Sequence, residues 1–324
     1  MSSRTKDQQQ ATESRRSRGA RRAGEFPPAP EPLAVPVVDG HTHLDITVHE
    51  AGTPDGVPNA ADGPSGAGGG APQVADDEAA KVEALIAAAT KVGVDRLVQV
   101  GVDVPSSRWG AALAARHPAV LATVALHPNE APRLTAGELD EALRVIETLA
   151  AEDRVRGIGE TGMDTFRTGE QGRGAQEASF RAHIALAKQH GKALMIHDRE
   201  AHDDVLRILD DEGAPDTVVL HCFSGDAVFA AECVRRGYLL SFAGTVTFGS
   251  AGHLREAAAL TPPELMLVET DAPYLTPMPH RGRPNGSYLI PLTVRALAAT
   301  AGTDLDELCA AISANSERVY GPWR

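Results

Sequence analysis

A chain of 324 residues, 42% hydrophobic and 23% charged, is long enough for one large domain and has an ordinary globular balance. Its net charge of −13 excludes a cationic nucleic-acid coat, though not an enzyme that meets phosphate through metal ions. No apolar run approaches the roughly 18 residues of a transmembrane helix and no apolar signal core opens the chain, so a cytoplasmic protein with no membrane partner is expected.

Residues 1–34 are rich in Arg, Gln, Ser and Pro, with almost no large apolar side chains, and read as a disordered basic tail. Arg15, Arg16, Arg18, Arg21 and Arg22 cluster there, as a solvated tail or as a contact for nucleic acid or an acidic partner. Residues 35–324 read as one domain. It opens with an apolar strand from Val35 to Val38, followed by His41-Thr42-His43. Side chains alternate along a strand, so the two imidazoles share a face and can take two corners of one metal ion. Residues 46–75 are rich in Gly and Pro and read as a flexible insertion in the first strand-to-helix loop.

From Asp76 the pattern is regular. Helices are expected at 76–91, 106–116, 135–151, 176–190, 202–211, 226–236 and 252–260, with two more at 291–301 and 304–315. Strands fall between them at 94–100, 120–125, 155–158, 192–196, 217–220, 238–241 and 265–268. With the first, these make eight short apolar strands that lack polar alternation, as when both faces are buried. The expected fold is α/β, a single (β/α)8 TIM barrel. An open doubly wound sheet is the alternative, but no GxGxxG turn follows the first strand.

The chemistry-bearing residues stand just after these strands: His41 and His43, then His127, Glu160, His197, His221 and Asp271. In a barrel all of them lie on the C-terminal rim, where such folds place their sites. His117, His183, His190, His202 and His253 fall on or near helices and read as surface or packing residues. Imidazole and carboxylate suit divalent Mg, Mn or Zn. The expected arrangement is two divalent ions about 3.5–4 Å apart, lowering the pKa of a shared water. His41, His43 and Asp271 would hold one ion, His197 and His221 the other, with Glu160 bridging. Asp271 would also orient the water or take its proton. His127 and Arg281 would face substrate. The three cysteines, Cys222, Cys233 and Cys309, are odd in number and lack zinc-ribbon spacing, which suits a reducing compartment.

At HTHLD, ALHP, GIGETGMD, LMIHDREA, HCFSG, SFAGTVTF and ETDAPYLTP the chain resembles the TatD family of metal-dependent deoxyribonucleases, over roughly residues 35–321. The resemblance implies a (β/α)8 barrel, divalent metals and hydrolysis of DNA phosphodiesters, often from the 3′ end. It carries the ligand roles onto His41, His43, Glu160, His197, His221 and Asp271, and suggests His127 as a substrate-facing group. One departure lies after His280-Arg281-Gly282. Family members usually continue to Asn-Glu-Pro, whereas here Arg283-Pro284 leads to Asn285-Gly286-Ser287. The competing readings are another binuclear hydrolase, cutting an amide, lactone or phosphotriester, and a non-catalytic scaffold whose basic tail binds nucleic acid. Oligomeric state has no signal in the sequence.

Overall fold

Strand residues of this chain alternate between two apolar environments, and that alternation builds the barrel. In the computed structural model, residues 24–49 and 72–323 are described. Eight parallel strands follow one another in chain order: β1 (Val37–Thr42), β2 (Val94–Val100), β3 (Val120–Val124), β4 (Val155–Asp164), β5 (Ala193–Arg199), β6 (Val218–Leu220), β7 (Leu239–Phe242) and β8 (Met266–Val268). Val38, Val98, Leu121, Met195, Val219, Leu239 and Leu267 point into the lumen and pack together, with Tyr320 and Trp323 in the same cluster. Their neighbours Val37, Leu97, Val120, Leu194, Val218, Leu240 and Met266 face outward against the helices. Both faces are therefore buried, which is why the strands read as unbroken apolar runs.

The helices are α1 (Leu44–Thr47), α2 (Pro72–Lys91), α3 (Val104–Arg116), α4 (Ala136–Ala150), α5 (Glu170–His190), α6 (His202–Glu212), α7 (Ala227–Arg235), α8 (Gly252–Leu260), α9 (Ile290–Ala301) and α10 (Leu305–Tyr320). Their starts are set by caps. Asp103 and Thr135 each close a capping box, and Asp226 and Asp304 accept from first-turn amides. Closure comes from a parallel bridge between Thr42 and Ala272. The buried Asp39 reinforces it: its carboxyl accepts from Thr270 N at 2.9 Å and Thr270 Oγ1 at 2.6 Å. Burial pushes that carboxyl up to about 7.

Several boundaries differ from the sequence reading. β1 runs to Thr42 rather than ending at Val38, and β4 runs to Asp164 rather than Ile158, because its second half pairs with the end of β5. α2 begins at Pro72, inside the expected loop, and Ile46 and Thr47 belong to α1. The expected tail is also shorter. Residues 24–34 lie on the barrel, where Phe26 and Leu33 are buried and Tyr288 Oη donates to Pro27 O at 2.7 Å. Arg283 donates to Glu25 O at 3.0 Å, so this residue of the departing loop helps hold the segment down. The rest of that tail and most of the 46–75 insertion lie outside the described residues. Among the described residues no helix is long and apolar enough to cross a membrane.

Candidate metal centre

The strand ends bring seven of the expected residues together at one rim of the barrel. His41 Nε2 and His43 Nε2 are 3.2 Å apart. Asp271 Oδ1 lies 3.6 Å from the first and 3.5 Å from the second, and Glu160 Oε2 is 3.6 Å from His41 Nε2. The other oxygen of Glu160 faces a second group: Oε1 is 2.6 Å from His197 Nδ1, 2.9 Å from His221 Nε2 and 3.3 Å from His127 Nε2. One carboxylate thus spans two clusters of imidazoles. Ligand atoms of His41, His43 and Glu160 lie within 4.8 Å of one another, as do those of His127, Glu160 and His197.

Hydrogen-bond partners behind the rings fix which nitrogen faces inward. His43 Nδ1 donates to Val100 O at 3.2 Å, and His221 Nδ1 to Glu269 Oε1 at 3.0 Å. His41 Nδ1 rests 3.1 Å from Met195 Sδ. Each assignment places a proton on Nδ1 and leaves the Nε2 lone pair pointing into the site. Between His41, His43, Asp271 and Glu160, acceptors then converge with no donor among them. Such a focus of lone pairs suits a bound cation. His127 differs. Its Nδ1 accepts from Asn129 N at 3.0 Å, so its proton sits on Nε2 and faces Glu160 as a donor.

These groups also shift one another's ionisation. Burial opposes ionisation of Glu160, but His221 and His127 hold it well below the usual carboxylate range. Burial, then the neighbouring His221, pushes His41 well below the ordinary histidine value. For His43 burial pulls down, yet the Asp271 and Glu160 carboxylates outweigh it and hold the ring raised. Asp271 takes φ 53, a left-handed conformation uncommon for a non-glycine residue, with its N–H bonded to His41 O at 2.9 Å.

All of these groups but the fully buried His41 line a cleft of about 700 Å³ whose wall also carries Asn129, Arg133, Arg167 and Arg199. Arg281 is not part of that lining. It stacks on Phe248, 4.4 Å from the ring centroid, because the loop closes on itself through Thr276 Oγ1 donating to Arg283 O. Asn285 is buried and donates to Thr270 O at 3.0 Å, tying the departing loop to the end of β8.

A family model described as "TatD related DNase" matches residues 38–321. The chain belongs to the TatD family. Membership makes it a metal-dependent hydrolase, and two relatives frame what that means. An "Uncharacterized metal-dependent hydrolase TatD" of Mycobacterium tuberculosis is 44% identical over 88% of this chain and 98% of its own. A "3'-5' ssDNA/RNA exonuclease TatD" of Citrobacter rodentium is 34% identical, covering 73% of this chain and 90% of its own. Among solved structures, a TatD homologue of Escherichia coli superposes with a TM-score of 0.72 at 24% identity, over 88% of this chain and 97% of that one, and shares the fold.

Four TatD-site residues escaped the sequence reading. Glu269 braces His221 and also accepts from Cys222 N at 2.8 Å and Ser241 Oγ at 2.5 Å. Asp164 accepts from Asn129 Nδ2 at 2.9 Å and lies 3.3 Å from His197 Nε2. His183 is buried and accepts from Leu126 N at 3.1 Å, fixing the backbone beside His127. Arg199 reaches the cleft from the end of β5. Glu269 and Asp164 sit in the strand-end motifs themselves, within Glu269-Thr270-Asp271 and Glu160-Thr161-Gly162-Met163-Asp164. A second carboxylate beside a ligand was the available signal.

Proposed function

We propose that this TatD protein is a metal-dependent deoxyribonuclease that removes nucleotides from the 3′ end of single-stranded DNA. The observation that carries the reading is the carboxylate of Glu160, whose Oε2 faces His41 while its Oε1 faces His197 and His221. His41, His43 and Asp271 would hold one divalent ion, His197 and His221 a second, and Glu160 would serve both. Bound there, Mg, Mn or Zn supplies charge neutralisation at phosphate and a water acidic enough to attack near neutral pH.

The protein's own groups account for the remaining requirements. Asp271 stands at the inner edge of the cleft, where its carboxylate can orient the attacking water and accept its proton. His127 presents an N–H that can donate to a non-bridging phosphate oxygen once Glu160 is engaged elsewhere. Glu269 and Val100 keep the His221 and His43 rings from rotating out of position. Arg167 and Arg199 add cationic groups to a wall that also carries Asp164 and Asp198, while Arg133 is paired with Glu130. Attack of water at phosphorus then breaks the bond to the 3′ oxygen of the preceding nucleotide and releases a 5′-nucleotide. The name of the Citrobacter relative supports the polarity and the single-stranded substrate. Cys222, Cys233 and Cys309 are free thiols, which supports a reducing, cytoplasmic setting.

The test is a hydrolysis screen with the purified protein in Mg²⁺, Mn²⁺ or Zn²⁺, across single-stranded DNA, a lactone, an amide and a phosphotriester. DNA should be cut fastest, and Glu160→Gln should lower that rate by at least about 100-fold, the scale of losing one electrostatic element of a site. Fast hydrolysis of a lactone or amide with intact DNA would replace the nuclease reading by another metal-dependent hydrolysis.

A further inference from the structure

Phe166 is 56% exposed on the loop that follows β4, an unusual place for a large apolar ring. The guanidinium of Arg199 lies over its face, 3.9 Å from the ring centroid. Arg199 lines the cleft, and so does Arg167, the next residue after Phe166. Among the described residues neither guanidinium meets a carboxylate. On the outer helices the contrast is plain: Arg173, Arg181, Arg207 and Arg236 are all ion-paired.

The loop carrying the ring is held firmly. Thr165 N donates to Arg199 O at 3.1 Å, Thr165 Oγ1 to Glu200 O at 2.5 Å, and Arg167 N to Asp164 Oδ1 at 2.8 Å. Asp164 in turn touches His197. A flat ring is therefore kept in water, at fixed position, against Arg199 of the cleft wall and next in sequence to Arg167, neither of them ion-paired. Solubility would favour a polar residue there. A planar ligand with a phosphate attached gives that combination a use.

We propose that Phe166, backed by Arg199, is the stacking platform for the nucleobase flanking the scissile phosphate, and that Arg167 and Arg199 contact the phosphates of that strand. The proposal rests on the nuclease reading and names what makes the substrate single-stranded. A base inside a duplex has both faces covered by its neighbours, whereas an unpaired terminal base can lay one face on a protein ring. Stacking of this kind tolerates any base, so little sequence preference is expected.

The experiment compares a short thymidine oligonucleotide with the same oligonucleotide lacking its two 3′-terminal bases. Wild-type protein should cleave the base-bearing strand with a kcat/KM about tenfold higher, within the range of one base–aromatic stack. Phe166→Ala should lose that factor on the base-bearing strand and cleave the two substrates equally, while Phe166→Tyr should keep the preference. A Phe166→Ala variant with undiminished preference for the base-bearing strand would overturn the platform. If wild-type protein cuts no DNA at all, the nuclease reading fails. The platform is then judged by fluorescence anisotropy of both oligonucleotides in EDTA. Tighter binding of the base-bearing strand by wild type, erased in Phe166→Ala, would uphold it, and equal binding of both strands by wild type would overturn it.

Discussion

The chemistry of this centre is decided by where single protons sit. His43 and His221 give their Nδ1 protons to Val100 O and Glu269, which turns both Nε2 lone pairs inward. His127 accepts at Nδ1 and keeps its proton on the inward nitrogen. Three histidines of one residue type thus take two roles, lone-pair donor and proton donor, through partners outside the ring. The inward residues were legible, because each one stands at a strand end and barrel rims collect such positions. Their partners were not, since Glu269 reads like any acidic residue until His221, 48 positions away, is found against it. Removing that partner is informative. Glu269→Ala should weaken divalent-metal binding about 10- to 100-fold, the usual effect of losing a group that orients a ligand. Glu269→Gln, whose carbonyl oxygen can still accept from His221 and Cys222, should lose much less. Titration calorimetry with Mn²⁺ measures both, and wild-type affinity in Glu269→Ala would remove the bracing role.

At the scale of elements, simple alternation aims four of the expected side chains and misaims three. From Leu121, Met195, Val219 and Leu267 in the lumen, even steps lead to His127, His197, His221 and Asp271. From Val38, however, odd steps lead to His41 and His43, and Glu160 is an even step from the outward-facing Ile158. The discrepancies coincide with breaks in register, between Asp39 and Thr42 in β1 and between Ile158 and Thr161 in β4. An irregularity of this kind re-aims a side chain locally. The sequence marks one of them only through glycines. At Gly162, φ is 140 and a Cβ would sit 2.1 Å from His197 O, so no other residue lets β4 pass the end of β5. The length of β4 was illegible for the same reason, since glycine and buried polar residues replace the apolar run after Ile158. Likewise, the packing of residues 24–34 rests on backbone carbonyls receiving Arg283 and Arg295, which no periodicity reveals. The break in β1 sits beside the clasp that closes the barrel. Asp39→Ala would leave the buried N–H and hydroxyl of Thr270 without their acceptor, each costing about 1–3 kcal/mol. Thermal unfolding should therefore show a loss of about 2–6 kcal/mol for Asp39→Ala. An unchanged melting temperature would mean that the clasp contributes nothing to closure.

For the whole molecule, the fold and the family were legible together, because eight β/α units and the rim residues follow from one pattern. The residues of the cleft wall were not, and Arg281 shows why: a loop residue near a rim in sequence stacks on Phe248, while Arg199 enters the cleft from a strand. A chain of net charge −13 cannot gather nucleic acid over its whole surface. On the proposed nuclease reading, attraction for phosphate would be concentrated at the metal centre and at Arg167 and Arg199 on the cleft wall, which favours a small footprint and action at a strand end. That consequence is tested most directly by a time course on one single-stranded oligonucleotide labelled at its 5′ or its 3′ end, in Mg²⁺ and in Mn²⁺. The 3′ label should leave at once as a mononucleotide while the 5′-labelled strand shortens stepwise, and Glu160→Gln should stop both. Internal cuts from the outset, shortening from the 5′ end, or DNA left intact in either metal would contradict it.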